Sequence, residues 1–547
     1  MQYLQSRLTR VCVAIIGNTP QEMVDRAEEA VRENTFLEFR LDYMAKPLLA
    51  LPKLKQFLHD HRQATAIATC RRATNGGKFK GTIAEELEIL SKAAASGCQI
   101  VDLELQTAES IKAAGVKKFR EHGAALVISH HDFAATKDLE KIYERIRPFA
   151  PEFIKIVPTA KCLADNVTMM RFLEEKRDEA RVVGICMGDF GIISRVLGVR
   201  AGSIFTFASA AAGEETGPGQ ITARTLLETY RIDQVEAATR VYGVAGNPIQ
   251  HSLSPIMMNT AFRRETVNAV FLALQTAKIS DLLLLIHKVP VHGVAITMPW
   301  KQEIMKHLDR TDPLSEKIGA CNTVVRSQDG KLIGYNTDVQ GVVRPLEQRL
   351  PLRKAKVLVL GAGGAARAAV FGMRERGAEV FILNRTPQTA QKLARESGAK
   401  TIRRDQVAKT TFDVIVHATP AGMAGNKQQT ILEEKELNAK LVFDLVYNPI
   451  ETPLIQMARK KGLHVIPGAE MFVHQGAEQF QLWTGKPAPR EEMWRVVTHA
   501  LKLQAEAAKA AADEPKREAK SEAKVASKSA AKSTPSSAAK STSKSKK

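Results

Sequence analysis

Lys155 lies in the middle of an apolar run, Phe153-Ile154-Lys155-Ile156-Val157. A lysine among such neighbours is poorly solvated as an ammonium, which favours the neutral, nucleophilic amine. Such an amine attacks ketones and forms a Schiff base. A nearby imidazole could move protons for an elimination, and two candidates stand together in Ser129-His130-His131-Asp132. Other charges in this part of the chain follow strand spacing. Glu38, Arg40 and Asp42 alternate and share one face, Asp102 and Glu104 do the same, and Arg71 ends a third apolar run. Charges gathered on inward faces are costly unless they form a site. A structural ion-pair network is the competing explanation.

A second stretch carries a different chemistry. Lys356 to Thr386 reads KVLVLGAGGAARAAVFGMRERGAEVFILNRT. A strand, a glycine turn, a helix and a second strand form the dinucleotide-binding βαβ pattern. Gly361 permits the tight turn, Gly363 lets backbone N–H groups approach a pyrophosphate, and Ala366 is the third small position. Ala362, Gly364 and Ala365 complete the loop, with the helix N-terminus facing the phosphates. An acidic residue usually ends the second strand in an NAD site. Here Asn384, Arg385 and Thr386 stand there, and Arg385 suits a 2′-phosphate, so NADP(H) is the expected cofactor.

These residues need elements to hold them. Eight short apolar runs recur between Val11 and Ala208, separated by amphipathic stretches such as Ala84–Ala95 and Leu139–Arg147. That is the count and size of a (β/α)8 barrel, whose active site lies at the C-terminal ends of the strands. Ala223–Tyr230 reads as the last barrel helix, and a new strand begins at Val241. The expected fold is therefore α/β throughout. Residues 1–238 form the barrel and 239–342 an α/β substrate domain completed by 478–503. Residues 343–477 form a Rossmann domain, and 504–547 are a disordered Ala/Lys/Ser-rich tail. Spacing before Pro515 allows the preceding helix to continue into that tail.

Composition narrows the class. The chain has 547 residues, enough for two or three domains, and 44% hydrophobic residues can fill their cores. No apolar run reaches the length of a membrane span, and no signal-peptide pattern is expected at the N-terminus. Six scattered cysteines suit reduced thiols in a cytoplasm, and the histidines lack metal-ligand spacing, so no metal is expected. Net charge is +20, of which eleven Lys/Arg against five Asp/Glu from Gln504 onward supply +6. The remaining +14 favours anionic small molecules as partners. The lysine-rich tail would touch nucleic acid only weakly, and the sequence leaves a homodimer open.

The first half resembles the type I 3-dehydroquinate dehydratases. The matching pieces are Glu38-Phe39-Arg40, Thr69-Cys70-Arg71, Ser129-His130-His131-Asp132-Phe133, Lys155, Gly188…Ser194-Arg195 and Pro218-Gly219-Gln220. The resemblance implies that Lys155 forms an imine with the C3 ketone of 3-dehydroquinate. His131 rather than His130 removes the C2 proton and helps water leave from C1. Arg195 clamps the carboxylate, with Thr216 and Gln220 on a closing loop, while Glu38, Arg40 and Arg71 hold hydroxyls. Asn75 stands before Gly76-Gly77 where the family often has Glu.

The second half resembles the shikimate dehydrogenases over nearly all of 241–500. The pieces are Asn247-Pro248 through Ser252-Leu253-Ser254-Pro255, Thr297-Met298-Pro299-Trp300-Lys301, Ala320-Cys321-Asn322-Thr323 and Asn336-Thr337-Asp338. Downstream come Ala418-Thr419-Pro420, Asp444-Leu445-Val446-Tyr447-Asn448-Pro449 and Gly468…Met471…Gln475. The resemblance implies that Lys301 and Asp338 flank the reacting oxygen. Ser252, Ser254, Thr297, Asn322, Tyr447 and Gln475 would bind hydroxyls and carboxylate, and Leu445 and Gly468 would line the nicotinamide side. Ala295 replaces a polar residue of many relatives.

Together the halves imply a bifunctional enzyme of aromatic amino acid biosynthesis. It would dehydrate 3-dehydroquinate and then reduce 3-dehydroshikimate to shikimate with NADPH. A quinate/shikimate dehydrogenase of catabolism, or a basic-tailed scaffold with an inactive site, are the alternatives.

Overall fold

The computed structural model describes residues 2–250, 252–426 and 430–509. Eight strands come first: β1 (Val11–Ile15), β2 (Phe36–Arg40), β3 (Thr65–Thr69), β4 (Ile100–Glu104), β5 (Ala125–His131), β6 (Phe153–Val157), β7 (Val182–Gly184) and β8 (Thr206–Ser209). They lie in the order β7-β6-β5-β4-β3-β2-β1-β8, every pair parallel. Between β7 and β8 the strand ladder is open, but Ile204 N donates to Val182 O at 3.0 Å and brings the edges together. The result is a near-closed (β/α)8 barrel. The regular ladder of β7 stops at Gly184, shorter than its apolar run; the chain stays beside β6 through an isolated bridge between Met187 and Thr159 before the 3-10 turn Asp189–Gly191. The expected last helix is largely a single π-type turn, Thr225–Thr229.

The barrel interior is layered. Phe36, Phe153, Phe205 and Phe207 belong to one apolar cluster that fills its base. Phe36 and Phe205 meet edge to face at 4.9 Å, an arrangement that fills space without a void. The charged residues stand above this plug. Register fixes their neighbours: Lys155 pairs with Ser129, and Ser129 with Glu104.

A second sheet follows: β9 (Arg240–Gly246), β10 (Ala269–Gln275), β11 (Val291–Ile296), β12 (Arg310–Thr311), β13 (Thr323–Arg326) and β14 (Leu332–Tyr335). Its order is β10-β9-β11-β13-β14-β12, with β13 antiparallel to both neighbours. The third sheet is β15 (Lys356–Leu360), β16 (Glu379–Leu383), β17 (Lys400–Thr401), β18 (Phe412–His417), β19 (Ala439–Asp444) and β20 (His464–Ile466). It is parallel, in the order β17-β16-β15-β18-β19-β20. The strand order reverses between β15 and β18, which opens a crevice at their C-terminal ends.

Two helices join these sheets. Asp338–Glu347 and Gly468–Thr484 pack closely because Gly341 leaves room for Gln475 and Met471, and a Cβ at Gly341 would stand 3.0 Å from Gln475 Cβ. The helix over 490–509 then returns, and its Met493, Val497 and Leu501 enter the apolar core beside β9. Residues 504–509 are thus helical, which moves the start of the expected disordered tail; its remainder, 510–547, lies outside the described residues. The halves share apolar packing. Barrel residues and Leu272, Leu274, Leu282 and Leu285 belong to one buried cluster, and the barrel helix Leu163–Lys176 meets the helix Ile279–Lys288. No helix among the described residues is long and apolar enough to cross a membrane.

Candidate functional site

Alternation on β4 and β6 sends Asp102, Glu104 and Lys155 to the same interior. The Lys155 Nζ donates to Asp102 Oδ2 at 2.9 Å, lies 3.8 Å from Glu38 Oε1, and sits 3.8 Å over the Phe207 ring. The apolar neighbours of Lys155 in sequence are therefore only part of its surroundings. Across the barrel it faces two carboxylates, which the chain order does not reveal, and in this state it is ion-paired rather than surrounded by apolar groups alone.

Arg71 joins the two halves of the network. Its guanidinium donates to Asp102 Oδ1 at 2.8 Å, to Ser129 Oγ at 2.7 Å, and to Glu104. Burial alone would raise the Asp102 carboxyl, but Arg71 and Lys155 outweigh it and hold the group well below the usual carboxylate range. The same contest at Glu104, burial against Arg71 and His131, also ends below the ordinary value.

His131 Nδ1 donates to Glu104 Oε2 at 3.0 Å, and its backbone N–H donates to Oε1 at 3.1 Å. With Nδ1 so engaged, Nε2 is the nitrogen left for other chemistry. Burial, followed by Arg71, pushes the imidazole below its ordinary value. Phe133 stacks beside the ring at 6.4 Å. His131 lines the pocket with Lys155, Glu38, Arg40, Arg71 and Arg195. His130 does not line this pocket, and its Nδ1 is buried without a hydrogen-bond partner among the described residues.

Among the described residues one cation of the pocket has no carboxylate partner. Arg40 is bidentate to Asp42 at 2.9 Å, and Arg71 and Lys155 are paired as above. Arg195 is buried, its NH2 group donates to Pro218 O at 3.0 Å, and its Nε has no hydrogen-bond partner among the described residues. Burial lowers its pKa to about 10. Such a group is poised for an anion. Thr216 and Gln220 line the same pocket, tied by Thr216 N donating to Gln220 Oε1 at 2.7 Å. Asn75 lines it too and donates to Gln106 Oε1 at 2.9 Å.

A second constellation forms where the two later sheets meet. Lys301, just after β11, donates to Asp338 Oδ2 at 2.5 Å. Asn322 Nδ2 donates to Asp338 Oδ1 at 2.7 Å and reaches Gln475 Oε1 at 3.4 Å. Gln475 in turn donates to Phe472 O at 2.9 Å, and Tyr447 stacks on the Phe472 ring at 4.6 Å. Thr297 lies against Gly246, where a Cβ would stand 2.3 Å from its Cγ2. Ser252 accepts from Ser254 N at 3.2 Å at the start of the helix Ser254–Arg264. Among the described residues no hydrogen bond links these last three to Lys301. Ala295 is buried, so its missing polar group leaves no exposed gap.

The glycine loop fits a dinucleotide. Gly361 has φ +115°, and a Cβ there would stand 2.8 Å from Ala418 O; at Gly363 a Cβ would meet nothing within 4 Å. One position needs glycine for its turn, and the other leaves open space above the helix Gly364–Glu375. Ala362, Gly364 and Ala365 are part-exposed on that loop, and Lys301 Cδ would stand 3.4 Å from a Cβ on Gly364. Arg385 and Thr386 are exposed; Asn384 Nδ2 donates to Thr386 O at 3.0 Å, and Arg385 has no ion-pair partner among the described residues. Leu445 N donates to His417 O at 2.9 Å, and Gly468 packs so close that a Cβ would stand 2.4 Å from Val446 O.

Sequence reading put Asp102 and Glu104 on one face without giving them roles; the structure makes them partners of Lys155 and His131. Gln479, which donates to Thr323 Oγ1 at 3.0 Å, was also missed, although it lies one helical turn after Gln475.

Known proteins share this organisation. A family model described as Type I 3-dehydroquinase matches residues 11–237. Models described as the shikimate dehydrogenase substrate binding domain, Shikimate / quinate 5-dehydrogenase and the Shikimate 5′-dehydrogenase C-terminal domain match 244–324, 345–457 and 468–498. The shikimate dehydrogenase (NADP(+)) of Methanosarcina acetivorans is 41% identical over 283 residues, 48% of this chain and 99% of the relative. A crystal structure of shikimate 5-dehydrogenase from Thermus thermophilus in complex with NADP(H) and shikimate is 34% identical and covers 48% of this chain and 100% of that one, with a TM-score of 0.45. The chloroplastic bifunctional 3-dehydroquinate dehydratase/shikimate dehydrogenase of Arabidopsis thaliana is 33% identical over 512 residues, 89% of this chain and 84% of the relative. The chain belongs to the family of bifunctional 3-dehydroquinate dehydratase/shikimate dehydrogenases.

Proposed function

We propose that the chain catalyses two consecutive steps, dehydration of 3-dehydroquinate to 3-dehydroshikimate and NADPH-dependent reduction of that ketone to shikimate. The observation that carries the first step is the Lys155–Asp102–Arg71–Glu104–His131 network beside the unpaired Arg195. Arg195 binds the substrate carboxylate, with Thr216 and Gln220 alongside; Glu38, Arg40 and Arg71 hold the hydroxyls. Lys155 Nζ gives up a proton, adds to the C3 carbonyl and loses water to form the imine. His131 removes the C2 proton, the electron pair moves toward the imine, and C1 releases its hydroxyl as water with a proton from the imidazole. Hydrolysis of the imine frees Lys155.

In the second site Lys301 and Asp338 flank the ketone oxygen. NADPH, when bound, supplies the hydride. The glycine loop and Gly468 hold it, Leu445 lines its nicotinamide side, and Asn384, Arg385 and Thr386 meet the adenosine phosphate. Lys301 gives the proton that the developing alkoxide takes up, and Asp338 orients the amine. Ser252, Ser254, Thr297, Asn322, Tyr447 and Gln475 hold the ring.

The domain limits we assign are 1–238, 239–342 with 478–503, and 343–477, in keeping with the three sheets. We place the protein in the cytoplasm, a reading supported by six free cysteines, five of them buried. Borohydride added with 3-dehydroquinate tests the barrel reading. It should fix the substrate carbon skeleton to Lys155, seen by peptide mass, and abolish dehydration while 3-dehydroshikimate reduction continues. Labelling elsewhere, or none, overturns it.

A further inference from the structure

His417 ends β18 beside the crevice, is 1% exposed, and belongs to none of the residues assigned so far. Its ring spans two loops. Nδ1 donates to Asp444 Oδ1 at 2.8 Å, and Nε2 lies 2.6 Å from Thr419 Oγ1. Asp444 is fully buried at the end of β19 and paired in register with His417. Its Oδ1 also accepts from Val446 N at 3.0 Å, and its Oδ2 accepts from Thr452 Oγ1 at 2.5 Å. A carboxylate only accepts, so Nδ1 carries a hydrogen, and in that tautomer Nε2 accepts from the Thr419 hydroxyl. Thr419 Oγ1 then accepts from Ala421 N at 3.3 Å.

Each end of this chain of bonds touches the cofactor crevice. Thr419 Cγ2 would stand 2.9 Å from a Cβ on Gly361, so Thr419 walls the glycine turn. Val446, held by Asp444, backs Gly468, and Leu445 N donates to His417 O. The loops after β18 and β19, which wall the glycine turn and Gly468, are therefore tied through one buried imidazole. A hydrocarbon side chain here would leave Asp444 and Thr419 with lost partners in a place water does not reach, and both loops would gain freedom.

We infer that His417 is a positioning residue that sets the NADPH affinity of the reductase by linking Asp444 to Thr419. This rests on the reductase reading above only for the cofactor's identity. The test compares H417L, H417N and H417Q in the full chain. Glutamine reaches as far as Nε2 and can regain the Thr419 bond; asparagine reaches only Asp444. NADPH dissociation constants by calorimetry, without substrate, should rise about tenfold in H417L and H417N, and H417Q should recover at least half of the loss, one factor of ten being ~1.4 kcal/mol. The KM for NADPH should follow while kcat and the KM for 3-dehydroshikimate stay within threefold. Barrel dehydration is the folding control. NADPH binding within twofold of the natural protein in H417L overturns the inference. So does a parallel fall of kcat and the unfolding midpoint with no recovery in H417Q. Tight NADPH binding without turnover of 3-dehydroshikimate by the natural protein would instead count against the substrate reading alone.

Discussion

On the proposed reading the barrel site and the reductase site meet the same class of anionic ring compound, and they are built by opposite means. The barrel concentrates charge: Lys155, Arg71, Asp102 and Glu104 are buried and joined by hydrogen bonds and ion pairs over a plug of phenylalanines. The reductase has one ion pair, Lys301–Asp338, in a frame of amides and hydroxyls from Asn322, Gln475, Thr323 and Gln479. The proposed mechanisms account for the difference by where reactivity comes from. In the one proposed for the barrel the protein itself is the nucleophile and the acid–base, so its charged groups need tuning by one another. In the reductase the cofactor brings the reactive atom, and the protein is left to position a ring and supply one proton. The barrel site is therefore built on strands of one near-closed sheet, and the reductase site lies where two sheets and two bridging helices converge.

The contrast can be broken first at Lys155. K155A should lower dehydratase turnover by about 10⁴-fold or more, as removal of a covalent nucleophile does, with reduction of 3-dehydroshikimate unchanged within twofold. Comparable loss in both assays would mean the sites are not independent. The mirror change, K301A, should lower reductase kcat by roughly 10²–10³-fold, the worth of one positioned proton donor, and spare dehydration. A larger loss in K301A than in K155A would reverse the comparison. R385Q should raise the KM for NADPH about tenfold, one charge-assisted bond, and leave NADH turnover nearly unchanged, measured as the ratio of the two.

The smallest effect concerns pH. Burial and Arg71 disfavour the imidazolium of His131, so its folded pKa lies below the ordinary histidine value. As pH falls, the neutral base therefore persists past about 6.5, where a free histidine is half protonated, and is lost only below it. The acid limb of dehydratase kcat/KM should accordingly fall below that pH. A limb at or above it would contradict the assigned base.

Much of this was legible in the chain. Eight apolar runs with charges at strand ends announced the barrel, and the order of glycines announced the nucleotide fold, because both depend on local period and turn chemistry. Residues that act across the sheet were less legible. Lys155 reads as isolated among Phe153, Ile154, Ile156 and Val157, but barrel closure places Asp102 and Glu38 opposite it. The short strand β12 and the antiparallel β13 depend on tertiary pairing that periodicity does not encode. His417 carried no signal at all. It is a polar residue at the end of an apolar strand, and its meaning appears only when Asp444 is found beside it, 27 residues away in sequence.

The most direct test of two sequential reactions on one chain is product analysis after mixing the purified protein with 3-dehydroquinate and NADPH. The account predicts shikimate, formed with one NADPH consumed per molecule and preceded by transient 3-dehydroshikimate. Quinate formed at the expense of NADPH, with no 3-dehydroshikimate at any time, would contradict it.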